Sequence, residues 1–132
     1  MSEELKYSLR KLRDAFLRLK EGSLQATDEL EKDGVIQRFE FTFELLWKTL
    51  KLFLREKGIE ARTPKDCLQE AFRISWLKDE EVFAQMMEDR NKTSHIYSQE
   101  KSKEIFGHIK KNYIGSIAVV IAELEKVLKD IY

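Results

Sequence analysis

The sequence predicts an all-α fold, an antiparallel up-and-down bundle of four main helices plus one short helix. Five Gly and one Pro in 132 residues leave few positions for turns, and the content of charged residues (36%) and hydrophobic residues (42%) suits long helices. Apolar residues recur at spacings of three and four along most of the chain, and no segment shows the alternation typical of a strand. A chain of this length has one core, so we expect a single helical domain over residues 1–132.

Charge, cysteine content and hydropathy exclude several classes of protein. Lys plus Arg and Asp plus Glu each number 24, so the net charge of zero excludes nucleic-acid binding through bulk positive charge, and any RNA contact must be local. One cysteine, Cys67, excludes a disulfide framework and a cysteine-based zinc site, and no metal-ligand cluster or nucleotide fingerprint indicates a cofactor. No apolar run approaches a membrane span, and residues 1–22 are too charged for a signal peptide. We therefore expect a cytoplasmic protein that binds no membrane, metal or cofactor.

The first helix is amphipathic and is predicted to end near Gly22. Its apolar residues alternate between spacings of three and four, and basic side chains fill the other faces. Residues 23–34 contain several Ser, Thr, Asp and Gly, which predicts a connector that holds one short helical turn.

The second helix is predicted from about Val35 to Lys57, with Gly58 as the glycine that follows a helix end. One face carries an apolar stripe that suits a core: Ile36, Phe39, Phe43, Leu46, Trp47, Leu50 and Leu54. A second apolar stripe lies roughly opposite and consists of Phe41, Leu45 and Leu52. A helix that is apolar on two sides is either central in its bundle or shared with a second subunit. We favour the second interpretation, which predicts a homodimer.

Two further helices, of which the third is the short one, are predicted from their start signals. Thr63 followed by Pro64, with Asp66 at the third helical position, begins a third helix that ends before Lys78. An acidic cluster that begins at Asp79 opens a fourth helix, because negative charge is favourable at a helix N-terminus.

The last helix is predicted to run from about Ser98 to Ile131 and to form the spine of the bundle, because its apolar stripe continues over that whole length. A break separates it from the fourth helix. Residues 90–95, Arg-Asn-Lys-Thr-Ser-His, are rich in capping residues and poor in helix formers.

Candidate chemistry is concentrated in that break. Arg90 and His95 would diverge by about 140° on a continuous helix, but a helix that ends near Lys92 would let both aim at one point. A histidine can move protons at neutral pH and a guanidinium can hold a phosphate, so the pair could support metal-independent RNA cleavage by the ribose 2′-OH. Asn91 could orient the phosphate or the ribose. The reaction needs both a general acid and a general base, and one histidine does not readily fill both roles. A symmetric dimer would supply a second histidine.

Plainer interpretations stay open from spacing alone, and they are favoured at this point. Arg90 at a helix C-terminus suits the helix dipole, and His95 could lie in a polar turn. His108 is predicted to lie on a solvated face of the last helix. The second helix also has a polar face, which consists of Gln37, Glu40, Glu44 and Lys48. The plainer interpretation is that this face is exposed to solvent, with an ion pair between Glu44 and Lys48. The alternative is that it lines a cleft with Arg90 and His95.

Two motifs in a fixed order resemble a known family. Residues 36–45, Ile-Gln-Arg-Phe-Glu-Phe-Thr-Phe-Glu-Leu, and residues 47–51, Trp-Lys-Thr-Leu-Lys, precede residues 90–97, Arg-Asn-Lys-Thr-Ser-His-Ile-Tyr. Together they are similar to the nucleotidyltransferase substrate-binding protein family, a branch of the HEPN superfamily of helical bundles. The similarity extends over nearly the whole chain.

The resemblance implies a homodimer that associates with a separately encoded minimal nucleotidyltransferase. Related HEPN proteins are metal-independent endoribonuclease toxins, and their transferase acts as an antitoxin that adenylylates the tyrosine of the motif. Carried over by position, Arg90 would hold phosphate, His95 would be the general acid or base, Asn91 would support them, and Tyr97 would accept AMP. The resemblance also allows a non-catalytic subunit that presents a substrate to the transferase.

Overall fold

The computed structural model describes residues 2–93 and 98–131. These residues form helices and no strand, which confirms the all-α prediction. The elements are α1 (Ser2–Gln25), α2 (Glu29–Glu56), α3 (Pro64–Arg73), α4 (Glu80–Lys92), α5 (Gln99–His108), a π-helical segment (Ile109–Tyr113) and α6 (Ile114–Ile131). The last three form one continuous helix, so the bundle has four main helices and the short α3, as predicted. Within the described residues, no helix is both long and apolar enough to cross a membrane.

The connection between α1 and α2 is shorter than predicted. α1 continues to Gln25 and α2 begins at Glu29, so most of the predicted connector over 23–34 is helical. The Asp28 carboxylate accepts a hydrogen bond from the Glu31 N–H at 2.8 Å, and the Glu31 carboxylate accepts one from the Asp28 N–H at 3.2 Å. This capping box satisfies N–H groups that a first helical turn leaves unpaired, so it starts α2 despite the turn-forming residues around it.

The other local signals are confirmed. Gly58, just beyond α2, has a φ of 79°, the left-handed conformation that favours glycine. Thr63 caps α3 by accepting a hydrogen bond from the Asp66 N–H at 3.1 Å. Each signal depends only on a few neighbouring residues, and each falls at the predicted place.

The core lies between α1, α2 and the long last helix, and α2 also contacts α3 and α4. The inner stripe of α2 is fully buried at Phe39, Phe43, Leu46, Leu50 and Leu54. The second stripe is divided: Leu45 and Leu52 are half-buried against the core, whereas Phe41 is 57% exposed. α2 is therefore central in the bundle, and the shared-subunit interpretation now depends chiefly on Phe41.

The last helix contains a π-helical turn that the sequence does not predict. The N–H of Ile114 donates to the carbonyl of Ile109, five residues earlier rather than four. Residues five apart nearly share a face in such a turn, whereas they diverge by about 140° in an α-helix. His108 immediately precedes the turn and Tyr113 is its last residue, so the two side chains lie on the same side, with ring centroids 6.1 Å apart.

Candidate active site at the end of helix α4

The predicted break in the chain begins where α4 ends. α4 stops at Lys92, and α5 begins at Gln99 with Ser98 as its cap. Thr93 donates its hydroxyl proton to the carbonyl of Arg90 at 2.7 Å, which satisfies a carbonyl that the helix end leaves unpaired. Arg90 therefore lies in the last turn of α4, as the sequence predicts.

Three neighbours hold the Arg90 guanidinium. One of its terminal nitrogens donates to a Glu44 carboxylate oxygen in an ion pair, and the other donates to the Asn91 side-chain oxygen at 3.1 Å. The guanidinium carbon lies 5.9 Å from the centroid of the Phe43 ring, a cation–π distance. The Arg90 side chain is 30% exposed. It is thus oriented by protein contacts on one side and open on the other.

An open cleft of about 260 Å³ surrounds this guanidinium, lined by Glu40, Glu44, Arg90, Asn91 and Thr93. Two residues of the polar face of α2, Glu40 and Glu44, therefore line a cleft with Arg90, as the alternative interpretation of that face expects. Gln37 instead lines a separate cleft between α1 and α2.

Glu44 has two more polar neighbours besides Arg90. It accepts a hydrogen bond from the Trp47 indole nitrogen at 3.1 Å and pairs with Lys48 at 3.8 Å, the ion pair that the sequence predicts. The carboxylate is therefore shared between two cations. Among the described residues, the contacts of Arg90 use two of the five N–H donors that a guanidinium carries. Donors remain that could bind a phosphate oxygen in the cleft.

Two of the predicted site residues, His95 and Tyr97, lie outside the described residues. Their roles stay predictions. Arg90 and Asn91 are both described, and the structure brings them together in the cleft.

Another side of the same helical turn carries a buried polar group, Asp89, which is 5% exposed. One of its carboxylate oxygens accepts the Tyr113 hydroxyl at 2.5 Å and lies 2.7 Å from Nδ1 of His108. We call Asp89, His108 and Tyr113 the Asp89 cluster. Burial, and then the hydrogen bond to Asp89, raise the pKa of the Tyr113 phenol well above its usual range.

The prediction that His108 lies on a solvated face is wrong. Its side chain is 24% exposed and pairs with Asp89, and the π-helical turn that follows it brings Tyr113 to the same carboxylate. Sequence reasoning also missed Asp89 and Tyr113 as polar partners. An Asp in the last turns of a helix and a Tyr on an apolar stripe are ordinary in a helical protein, and no pattern in the sequence indicates the turn that joins them.

Comparison with known proteins decides the family. The model of a family described as nucleotidyltransferase substrate binding protein like matches residues 3–126. The chain belongs to this family. The resemblance carried by the two sequence motifs is therefore confirmed.

The chain is also similar to two individual proteins. A protein of Haemophilus influenzae named probable ribonuclease HepT is 37% identical over 81 residues, which cover 58% of this chain and 56% of that protein. The match therefore spans little more than half the length of that relative. A crystal structure of a protein from Thermus thermophilus is 34% identical, with a TM-score of 0.79, and the match covers 86% of this chain and 98% of that one.

Proposed function

We propose that this chain is a HEPN-type subunit that binds a separately encoded minimal nucleotidyltransferase, in a toxin–antitoxin-like module, and cleaves RNA without a metal ion. The observation that carries the proposal is the cleft at the end of α4, where a partly exposed Arg90 guanidinium is oriented by Glu44 and Asn91. The chain that follows this cleft carries His95. A relative that matches part of the chain is named a probable ribonuclease.

The reaction is an internal displacement within RNA. The 2′-oxygen of a ribose bonds to the adjacent phosphorus, the bond from phosphorus to the 5′-oxygen breaks, and the products are a 2′,3′-cyclic phosphate and a 5′-hydroxyl. His95 moves a proton in this reaction, since an imidazole exchanges protons near neutral pH. The guanidinium of Arg90 balances the charge that develops on the phosphate oxygens, and Asn91 keeps the guanidinium in place.

Tyr97 accepts AMP in this proposal. Its hydroxyl oxygen attacks the α-phosphate of ATP bound to the transferase, and pyrophosphate leaves. The phosphate then attached to Tyr97 is negatively charged and follows Arg90 by seven residues, so it competes with RNA for the guanidinium. The transferase thereby switches off cleavage.

The homodimer in this proposal is formed through the second stripe of α2, where Phe41 is 57% exposed and Leu45 and Leu52 are half-buried. A charged side chain at Phe41 would lose much of its hydration in such an interface, so we expect Phe41→Glu to convert dimer into monomer in sedimentation velocity. Leu30→Glu is the matched control, because Leu30 is also on α2 and is 81% exposed. An unchanged profile for Phe41→Glu would place the interface elsewhere.

One observation favours a second candidate function. Glu44 already pairs with Arg90, which weakens the attraction of the cleft for anions. A subunit without catalysis, which presents a substrate to the nucleotidyltransferase, would need only modest anion binding there. The two functions share fold and partner and differ in whether His95 performs chemistry.

Cleavage of RNA in the presence of EDTA tests the proposal. We expect the purified full chain to leave 2′,3′-cyclic phosphate ends, and we expect His95→Ala and Arg90→Ala to lower the rate by at least about 100-fold, as loss of a proton-transfer or charge-stabilising group does. Arg62→Ala is the matched control, because Arg62 is exposed and paired only with the exposed Glu60 among the described residues.

Two outcomes would overturn the assignment. Cleavage that persists in His95→Ala would come from another group or from a contaminant. Absence of cleavage by the wild-type chain, together with nucleotide binding that needs both subunits, would establish the second candidate.

A further inference from the structure

The Asp89 cluster lies beside the Arg90 cleft but is not part of its lining. Its three side chains come from α4, from the end of α5 and from the end of the π-helical segment, so it ties α4 to the long helix. Asp89 supplies one buried carboxylate oxygen to both Tyr113 and His108. The proposed RNA cleavage uses none of these three groups.

Two physical routes connect the cluster to Arg90. The first is the backbone, because Asp89 immediately precedes Arg90 in the last turn of α4. The second is a row of aromatic rings: Tyr113 stacks on Phe39 with centroids 5.2 Å apart, and Phe39 packs against Phe43 at 6.2 Å. The Arg90 guanidinium lies over that same Phe43 ring.

We propose that Asp89 is a positioning residue that aims the Arg90 guanidinium into the cleft. The last turn of a helix lacks partners for its carbonyls and frays easily. By binding Tyr113 and His108, Asp89 fixes that turn of α4 against the π-helical segment. The π-helical turn brings His108 and Tyr113 to the same carboxylate of Asp89, whereas a regular α-helix would direct them to different sides.

Only the expected effect on RNA cleavage rests on the proposed function. How firmly the Arg90 guanidinium is held can be measured without RNA. A merely structural role of the cluster would lower stability without changing Arg90. Thr49→Val separates the two possibilities. It removes the partly buried hydrogen bond of 2.7 Å between Thr49 and Ser8, which joins α1 to α2 and involves no residue of α4.

The experiment measures the rate at which the Arg90 guanidinium rotates about its Nε–Cζ bond, by nitrogen NMR on the full chain, with signals assigned through Arg90→Lys. We expect Asp89→Asn to speed this rotation by at least about tenfold, because a less firmly held last turn of α4 weakens the hydrogen bonds of Arg90 to Glu44 and Asn91. Tyr113→Phe, which keeps the ring on Phe39, should speed it less. Thr49→Val should leave it unchanged.

Rotation that is unaltered in Asp89→Asn overturns the proposal, and so does an equal change in all three variants. If Asp89→Asn does not fold, Tyr113→Phe decides: an unaltered rate there overturns the proposal as well. Where the wild-type chain cleaves RNA, we expect kcat of Asp89→Asn to fall roughly 10- to 100-fold, with little change in KM, because a misaimed group loses transition-state contacts. A wild-type chain without cleavage would end the proposed function and leave the rotation measurement as the test of Asp89.

Discussion

Asp89 and Arg90 are consecutive residues in the last turn of α4, yet their surroundings are opposite. Asp89 is 5% exposed and accepts two hydrogen bonds from the long helix. The Arg90 side chain is 30% exposed and lines an open cleft with Glu44. An α-helix rotates by about 100° per residue, so neighbours in sequence face different neighbours in space. One helical turn thereby joins a buried support, Asp89, to a partly exposed guanidinium that lines a cleft.

The two environments differ in what a lost partner costs. A buried donor that loses its acceptor cannot bind water instead, so the full free-energy cost of its desolvation is no longer offset. A charged group near the surface is rehydrated when its partner is removed, so the ion pair contributes little net free energy. The Asp89 side should therefore stabilise the fold, and the Arg90 side should be replaceable without unfolding it.

The largest expected effect is on the free energy of unfolding. Asp89→Ala removes the acceptor of both Tyr113 and His108, and we expect it to lower the free energy of unfolding by about 3 kcal/mol. Urea denaturation followed by circular dichroism measures this value, and the wild-type chain gives the reference.

Arg90→Ala is the matched comparison for that experiment. Glu44 keeps Lys48 and Trp47 as partners, so we expect a loss below about 1 kcal/mol. Equal losses for the two variants would contradict the division of the turn into a supporting and an exposed side.

A smaller effect is expected from the pH dependence of stability. The pKa of Tyr113 is raised in the folded chain, whereas an unfolded tyrosine titrates near pH 10. Above that pH the unfolded chain releases a proton that the folded chain retains, so stability is present below about pH 10 and falls as the pH rises. We expect the free energy of unfolding to be about 1.4 kcal/mol lower at pH 11 than at pH 8 from this group alone.

Tyr113→Phe isolates this contribution. The variant lacks the hydroxyl, so its stability should depend less on pH over the same range, while other titrating groups affect both chains alike. Parallel curves for the variant and the wild-type chain would show that the pKa of Tyr113 is not raised by burial and by Asp89 in the folded chain.

Most of the fold could be predicted because its signals are local. Helical periodicity, the Thr63-Pro64 start and Gly58 each depend on a few adjacent residues, and the structure confirms them. The predicted connector over 23–34 is wrong, although the signal that shows where α2 begins is also local. Asp28 and Glu31 have the spacing of a capping box, and that signal outweighs the turn-forming composition around it.

The sequence by itself determined the helices, the end of α4 near Lys92, and the placement of Arg90 and Asn91 at that end. Only the tertiary structure decided that Glu44, 46 residues earlier, meets Arg90, and that a π-helical turn directs His108 and Tyr113 to Asp89. The reason is physical. Local propensity specifies where a helix begins and ends, but the rotation and register of one helix against another depend on packing across the whole core.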